Sequence, residues 1–202
     1  MGRHKLSLEL SPGISLGANS LRQMMRIELL DSICVVVNPR HATAWLPDLK
    51  NSKETQYTVI SCADAHKGLS YSLRFGLEHL RALPHSQDAP DAIMVLLADQ
   101  PFVTEAMLKR LIYHWRNQPG LDYVASSFND VVMPPVLLGG SMFEAAHQLK
   151  GDQGAKALFT ESAFQGLFVK ETSPYSLLDV DEPSEFTKAK DYWQQNYNKH
   201  RF

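Results

Sequence analysis

The sequence predicts an α/β fold with a mostly parallel sheet, on three observations. Apolar runs of strand length occur at Ile33–Val37 (ICVVV) and at residues 93–98 (IMVLLA), each continuous rather than alternating, as in strands covered by helices on both faces. Segments of helical period separate such runs, the clearest holding Leu73, Leu77 and Leu80 on one side and Arg74, Glu78 and Arg81 on the other. Neither a repeat nor a low-complexity tract nor a long linker interrupts the 202 residues, so one domain over residues 1–202 is expected. Strands alternating with helices imply βαβ units, whose ligands lie at the C-terminal ends of the strands.

In chain order, residues 20–30 read as a helix, with Leu21, Met24, Met25, Ile27 and Leu29 among Arg22, Arg26 and Glu28. The run Ile33–Val37 reads as a strand buried on both faces and closed by Asn38-Pro39. Residues 42–49 predict a short helix and residues 57–61 a strand. Residues 70–82 form the amphipathic helix noted above, and residues 93–98 a second doubly buried strand. Thr104 predicts an N-cap for a helix running to Trp115. Residues 123–126 and 136–138 are predicted strands, 142–149 a helix, 168–171 a strand and 184–197 a closing helix.

Composition narrows the function classes. The chain is 44% hydrophobic and 21% charged, with a net charge of -2, and no basic stripe favours nucleic acid. Its apolar runs are too short to cross a bilayer, so no membrane partner is expected. Cys34 and Cys62 each sit in an apolar run, reading as small buried hydrophobes in a reducing cytoplasm rather than a disulfide framework. The N-terminus has no apolar core of a signal peptide. The eight histidines show no HExxH spacing, and no GxSxG surrounds Ser70, so a zinc site and a serine hydrolase lack support.

Four segments carry candidate chemistry. In Val95-Leu96-Leu97-Ala98-Asp99-Gln100-Pro101 an apolar strand ends in a carboxylate at the ligand edge, where Asp99 can hold Mg²⁺ or merely cap a turn. In Asp179-Val180-Asp181-Glu182-Pro183, extended backbone would put Asp179 and Asp181 on one face; the alternative is N-capping of the last helix by Asp181 or Ser184. In Gly68-Leu69-Ser70-Tyr71-Ser72 a glycine and two hydroxyls open a helix, offering N–H and O–H groups to an anion or a polar ring, or simply an N-cap at Ser70. Gly76 within that helix costs about 1 kcal/mol against Ala, a hint of close packing. In Met1-Gly2-Arg3-His4-Lys5, Lys5 can neutralise a phosphate. Gly151-Asp152-Gln153-Gly154-Ala155 reads as the turn between two helices, with no functional role assigned by its residues.

Taken in order, MGRHKLSL, GLSYSLRFGL, LLADQPFVT, GDQGAKALF and DVDEPSEF resemble five motifs of the molybdopterin nucleotidyltransferases, closest to the cytidylyltransferase-like branch. The resemblance runs over nearly the whole chain. It implies a three-layer, Rossmann-like α/β nucleotidyltransferase fold and Mg²⁺-dependent transfer of a nucleoside monophosphate. Matched residue by residue, it implies Lys5 and Asp99 as catalytic residues, Lys5 at the nucleotide phosphates, Asp99 and Asp181 at the metal, and Gly68, Ser70 and Ser72 near the nucleotide base. The implied substrates are a nucleoside triphosphate, CTP by preference over GTP because MGRHK lacks the look of the guanylyl branch, and molybdopterin. A molybdenum hydroxylase is the implied partner.

The chain departs from the family pattern twice. A strand and a loop resembling LAAGxSxR, which precede MG in the family, are absent from this sequence, so an upstream start and an unpaired place in mid-sheet are expected. Met133-Pro134-Pro135 stands where the family has GxP, on the expected substrate side. Two alternatives follow: a non-catalytic carrier of molybdopterin, or a nucleotidyltransferase acting on another phosphorylated substrate.

Overall fold

A computed structural model describes residues 5–47, 57–83, 90–160 and 163–197. A short hairpin, β1 (Glu9–Ser11) and β2 (Ile14–Ser15), leads into α1 (Leu16–Met25). Then come β3 (Ile33–Val37), β4 (Tyr57–Ser61), α2 (Leu69–Ala82), β5 (Ala92–Val95) and α3 (Glu105–Asn117). The chain continues through β6 (Tyr123–Phe128), β7 (Val131–Gly139), α4 (Phe143–Gln148), β8 (Gly166–Lys170) and α5 (Pro183–Asn196). Among the described residues no helix is long and apolar enough to cross a membrane.

The main sheet has the order β5-β7-β6-β8, and β3 pairs with β4 in a separate parallel pair. The sheet is mixed rather than mostly parallel: β6 and β8 are parallel, but β7 runs antiparallel to both β5 and β6. The cause is local. Asn129 and Asp130 both take positive φ, 48° and 62°, and make a two-residue hairpin turn whose twist suits β6 and β7. Residues 131–135 belong to β7 despite Pro134 and Pro135, which cannot donate to a ladder. A register shift absorbs them: Ala125 pairs with Val136, but the next residue, Ser126, pairs with Met133.

Side-chain alternation sends the two faces of this sheet into different layers. Tyr123, Ala125, Val136 and Leu138 pack with Leu77 of α2 and with Phe143 and Ala146 of α4. Val124 and Leu137 pack with Met107, Leu108, Leu111 and Ile112 of α3. The β3–β4 pair is layered in the same way. Ile33, Val35 and Val37 meet Leu21 and Met25 of α1, and Val36 meets α2 at Gly76, where a Cβ would stand 3.0 Å from its Cγ2. The close packing hinted at by Gly76 is therefore present.

Several expected boundaries move. Helix α1 begins four residues early and ends at Met25. Gly17 is helical because its bare Cα admits the ring of Trp45, 2.7 Å from where a Cβ would be. The helix expected at residues 42–49 is a turn over its described part, residues 42–47, with Trp45 buried; residues 48 and 49 lie outside the described residues. Thr104 caps α3 as expected, its hydroxyl accepting from the Met107 N–H. Both cysteines are free; Cys62 is buried, Cys34 half-buried, and burial pushes its thiol up to about 11.

The strands expected to be buried on both faces are only partly so. In β3, Ile33 and Val37 are buried but Cys34, Val35 and Val36 are half-exposed, and β5 buries Ile93 alone. Between β3 and β5 lies a cavity of about 1380 Å³, walled by both strands and by residues of α1 and α2. Among the described residues no strand pairs with the edges that β3 and β5 turn toward it.

Candidate functional site

Beyond β5 the chain runs through Leu96, Leu97 and Ala98 to Asp99, and three bonds fix this turn. The Gln100 N–H donates to the Leu97 carbonyl at 3.4 Å, the Val180 N–H to the Asp99 carbonyl at 3.1 Å, and the Asn19 amide of α1 to the Pro101 carbonyl. The Val180 bond joins two segments 81 residues apart in the chain, and Val180 itself is buried with Leu10, Leu16, Phe102 and Trp193. The two acidic motifs thus meet at the C-terminal side of the sheet, where chemistry was expected.

Their meeting point is Lys5. Its Nζ donates to Asp99 Oδ2 and to Asp181 Oδ1, each at 2.7 Å. The short N-terminal hairpin places it: the Leu8 N–H bonds the Lys5 carbonyl, the Leu16 N–H bonds the Leu8 carbonyl, and Leu10 is fully buried. Burial by itself would lower the Lys5 pKa, but the hydrogen bonds to Asp181 and Asp99 outweigh it and hold the ammonium above its ordinary value. Met1 to His4, the rest of the MGRHK motif, lie outside the described residues.

Helix capping does not claim Asp181. The N-cap of α5 is Glu182, reciprocated by Glu185, whose carboxylate accepts from the N–H groups of Asp181 and Glu182 at 2.7 and 2.9 Å. The Asp181 side chain, 70% exposed, is left to Lys5. Asp179 does not share its situation. It is half-buried, its Oδ1 is enclosed without a hydrogen-bond partner, and burial, followed by the nearby Asp99 charge, pushes its carboxyl up to about 6. Asp99 Oδ1 is likewise enclosed without a partner. Asp179 was not singled out from its neighbour by the sequence; the apolar Leu177-Leu178 before it was the available signal for burial.

The Gly68–Ser72 motif divides. Gly68, with φ 127° and ψ 169°, is the N-cap of α2, a conformation that favours glycine. Gly68 and Ser72 line the cavity that also reaches Lys5 and Asp181. Ser70 does not line it. It is fully buried, and both its N–H and its hydroxyl donate to the Gly151 carbonyl, at 3.1 and 2.8 Å, so the expectation that its oxygen points outward is corrected: helix geometry turns it toward the loop after α4. A Cβ on Gly68 would stand 2.2 Å from the Gly151 carbonyl carbon, so the two backbones touch. The GDQGA turn is therefore the abutment of α2, which sequence reasoning missed because the contact spans 81 residues.

Among the described residues no group of three His, Cys, Asp or Glu side chains could hold a metal ion alone. Two carboxylates are present at Lys5, however, one with an unsatisfied enclosed oxygen. That donor set suits a hard divalent cation that takes further oxygens from a substrate phosphate.

The chain is 28% identical over 190 residues to the purine catabolism protein PucB of Bacillus subtilis (strain 168), covering 92% of this chain and 87% of PucB. Its fold matches a nucleotidyl transferase of Methanothermobacter thermautotroptrophicus (Mth528), with a TM-score of 0.73, 18% identity, and coverage of 95% of this chain and 86% of the other. It also matches Rv0371C of Mycobacterium tuberculosis H37Rv in complex with manganese, with a TM-score of 0.67, 22% identity, and coverage of 94% and 93%. The fold is accordingly the α/β nucleotidyltransferase-like fold. The MobA-like NTP transferase domain matches residues 1–166, and the chain belongs to that family.

Proposed function

We propose that this chain transfers CMP from CTP to molybdopterin with release of pyrophosphate, supplying the dinucleotide cofactor of a molybdenum hydroxylase in the cytoplasm. The observation that carries this reading is the Lys5 ammonium bridging Asp99 and Asp181 at the end of β5. The order of the five motifs supports the choice of molybdopterin and CTP. A terminal phosphate oxygen of the acceptor attacks the α-phosphorus of the nucleotide; the bond to the β-phosphate oxygen breaks, and pyrophosphate leaves with the electron pair.

The chain's own part is positioning and charge. Asp99 and Asp181 are the residues that would hold Mg²⁺, and the manganese complex of a structural neighbour supports a divalent requirement. When bound there, Mg²⁺ would neutralise charge on the triphosphate. With Asp99 and Asp181 holding that cation, the Lys5 ammonium would be free to meet the phosphates and would offset charge that grows on the leaving group. Gly68 and Ser72 line the cavity; in this reading they stand near the nucleotide base, where a glycine and a short side chain leave room for it.

The test is transfer of label from α-labelled CTP or GTP to molybdopterin, with Mg²⁺, by the chain and by folded Asp99→Ala and Lys5→Ala variants. The expected losses are at least about a hundredfold in turnover for each variant, the scale of removing one preorganised charge. Full turnover by a folded Asp99→Ala protein would remove Asp99 from the mechanism, and transfer from GTP in preference to CTP would correct the base.

A further inference from the structure

Nucleotidyl transfer as proposed above brings two anionic reactants together, and only part of their charge balance has been assigned. Of the described residues that line the cavity between β3 and β5, two are lysines, Lys5 and Lys156, and none is arginine. Lys5 bonds Asp99 and Asp181 and is assigned above to the nucleotide phosphates. It stands with α1, since Leu6 packs beside Gly17. Lys156 stands on the other layer: its neighbours Ala155 and Leu158 are buried with Leu77 of α2 and Phe143 of α4. It is exposed and has no ion-pair partner among the described residues.

The segment that carries Lys156 is held against the start of α2. The Gly151 carbonyl takes both donors of the fully buried Ser70. Gly68 and Gly151, with φ of 127° and 56°, let the two backbones touch, and Gly154 lies against Leu69, where a Cβ would be 3.0 Å from its Cδ2. Within the turn, the Gln153 N–H donates to the Lys150 carbonyl at 3.1 Å and the Lys150 N–H to the Gln153 side-chain oxygen at 2.9 Å. Asp152, Gly154, Ala155 and Lys156 reach the cavity as a result.

We propose that residues 151–156 form the acceptor-binding wall of the cavity, that Lys156 binds an anionic group of the phosphorylated acceptor, and that Ser70 is a positioning residue acting through Gly151. The assignment rests on the nucleotidyl-transfer reading above and deepens it. An acceptor phosphate approaching a triphosphate needs its own counter-charge, and a cation in the other layer can supply it without competing for the carboxylates at Lys5.

The experiment is titration calorimetry of the full chain with molybdopterin and, separately, with CTP and Mg²⁺, on wild type, Lys156→Ala, Lys156→Arg and Ser70→Ala, with circular dichroism to confirm folding. Lys156→Ala should weaken molybdopterin binding about tenfold or more while Lys156→Arg stays near wild type, the effect of losing and restoring one charge-assisted contact. CTP binding should be the same in both. Ser70→Ala should weaken molybdopterin binding and leave CTP binding unchanged. Unaltered molybdopterin binding by Lys156→Ala, equal weakening of CTP, or no molybdopterin binding by the wild-type chain would overturn the proposal. Lys156-dependent binding of molybdopterin without nucleotide transfer would overturn the transfer reading and leave the acceptor wall standing.

Discussion

Strands β3 and β6 are comparable as sequences, ICVVV and YVASSF, and differ sharply in place. Five of the six residues of β6 are buried, whereas only the two ends of β3 are. The reason is neighbours: β6 is paired on both sides, by β7 and β8, while β3 has β4 on one side and the cavity on the other. The more apolar strand is the less buried one. Continuous hydrophobicity shows that a strand has helices on its two faces, which β3 does, but it says nothing about the strand's edges. The β5-β7-β6-β8 sheet holds the core, and the β3–β4 pair owes its place largely to α1 and α2.

The comparison breaks first on core truncation. Leu138 is fully buried in β7 among residues from both α2 and α4. Leu138→Ala should cost about 2–5 kcal/mol of stability, the range for a large aliphatic deleted from a filled core. Val36→Ala in β3 removes a half-exposed side chain beside the cavity and should cost about 1 kcal/mol or less. Urea denaturation with unchanged slope measures both. Equal losses would show that the two regions unfold as one equally packed core.

What the sequence made legible follows the same division. Strands β3 and β4 and helices α2 and α3 were readable from period and capping because their determinants lie within each segment, as with Thr104 and the Leu73, Leu77, Leu80 stripe. The length of β7 was hidden by Pro134 and Pro135, which argue against a strand until the register shift that seats them is seen. The first turn of α1 was hidden by Gly17, whose role is to admit a ring from residue 45. In the site, Asp99 was legible as a carboxylate ending an apolar strand. Lys5 stood out only through its motif, since a lysine near a terminus has no local signature. The approach of Asp181 to Asp99 through Lys5, the burial of Asp179 and the engagement of Ser70 with Gly151 depend on packing between segments distant in the chain.

A smaller effect is expected where the two regions are joined. Helix α2 covers β3 and also packs beside α4, and Gly68 begins it against Gly151. Gly68→Ala forces a side chain into backbone that only glycine adopts readily, at about 1–3 kcal/mol, with the contact to Gly151 to be relieved as well. Gly13→Ala is the control: φ is 75°, but nothing lies within 4 Å of the added carbon, so the cost should be about 1–2 kcal/mol from conformation alone. If the two substitutions cost the same, the contact at Gly151 is not tight in solution.

The smallest effect separates the two carboxylates that flank Val180. Burial and the Asp99 charge raise the Asp179 carboxyl to about 6 from its ordinary 3.8. The folded chain therefore holds this proton at pH values where the unfolded chain has released it. Between pH 4 and 6 the folded state binds more protons than the unfolded one, so this group's contribution makes stability fall as pH rises through that window and level off above it. Asp179 is only partly buried, so solvent screening reduces the change to the order of 1 kcal/mol. Asp179→Asn should abolish that decline, which is measured as the difference between the urea midpoints at pH 4.5 and 7 in buffer containing a chelator. Any slope common to both proteins belongs to other groups and cancels in the comparison. An identical slope in Asp179→Asn would mean that Asp179 is ionised in the folded chain throughout, and that its enclosed oxygen is solvated rather than buried.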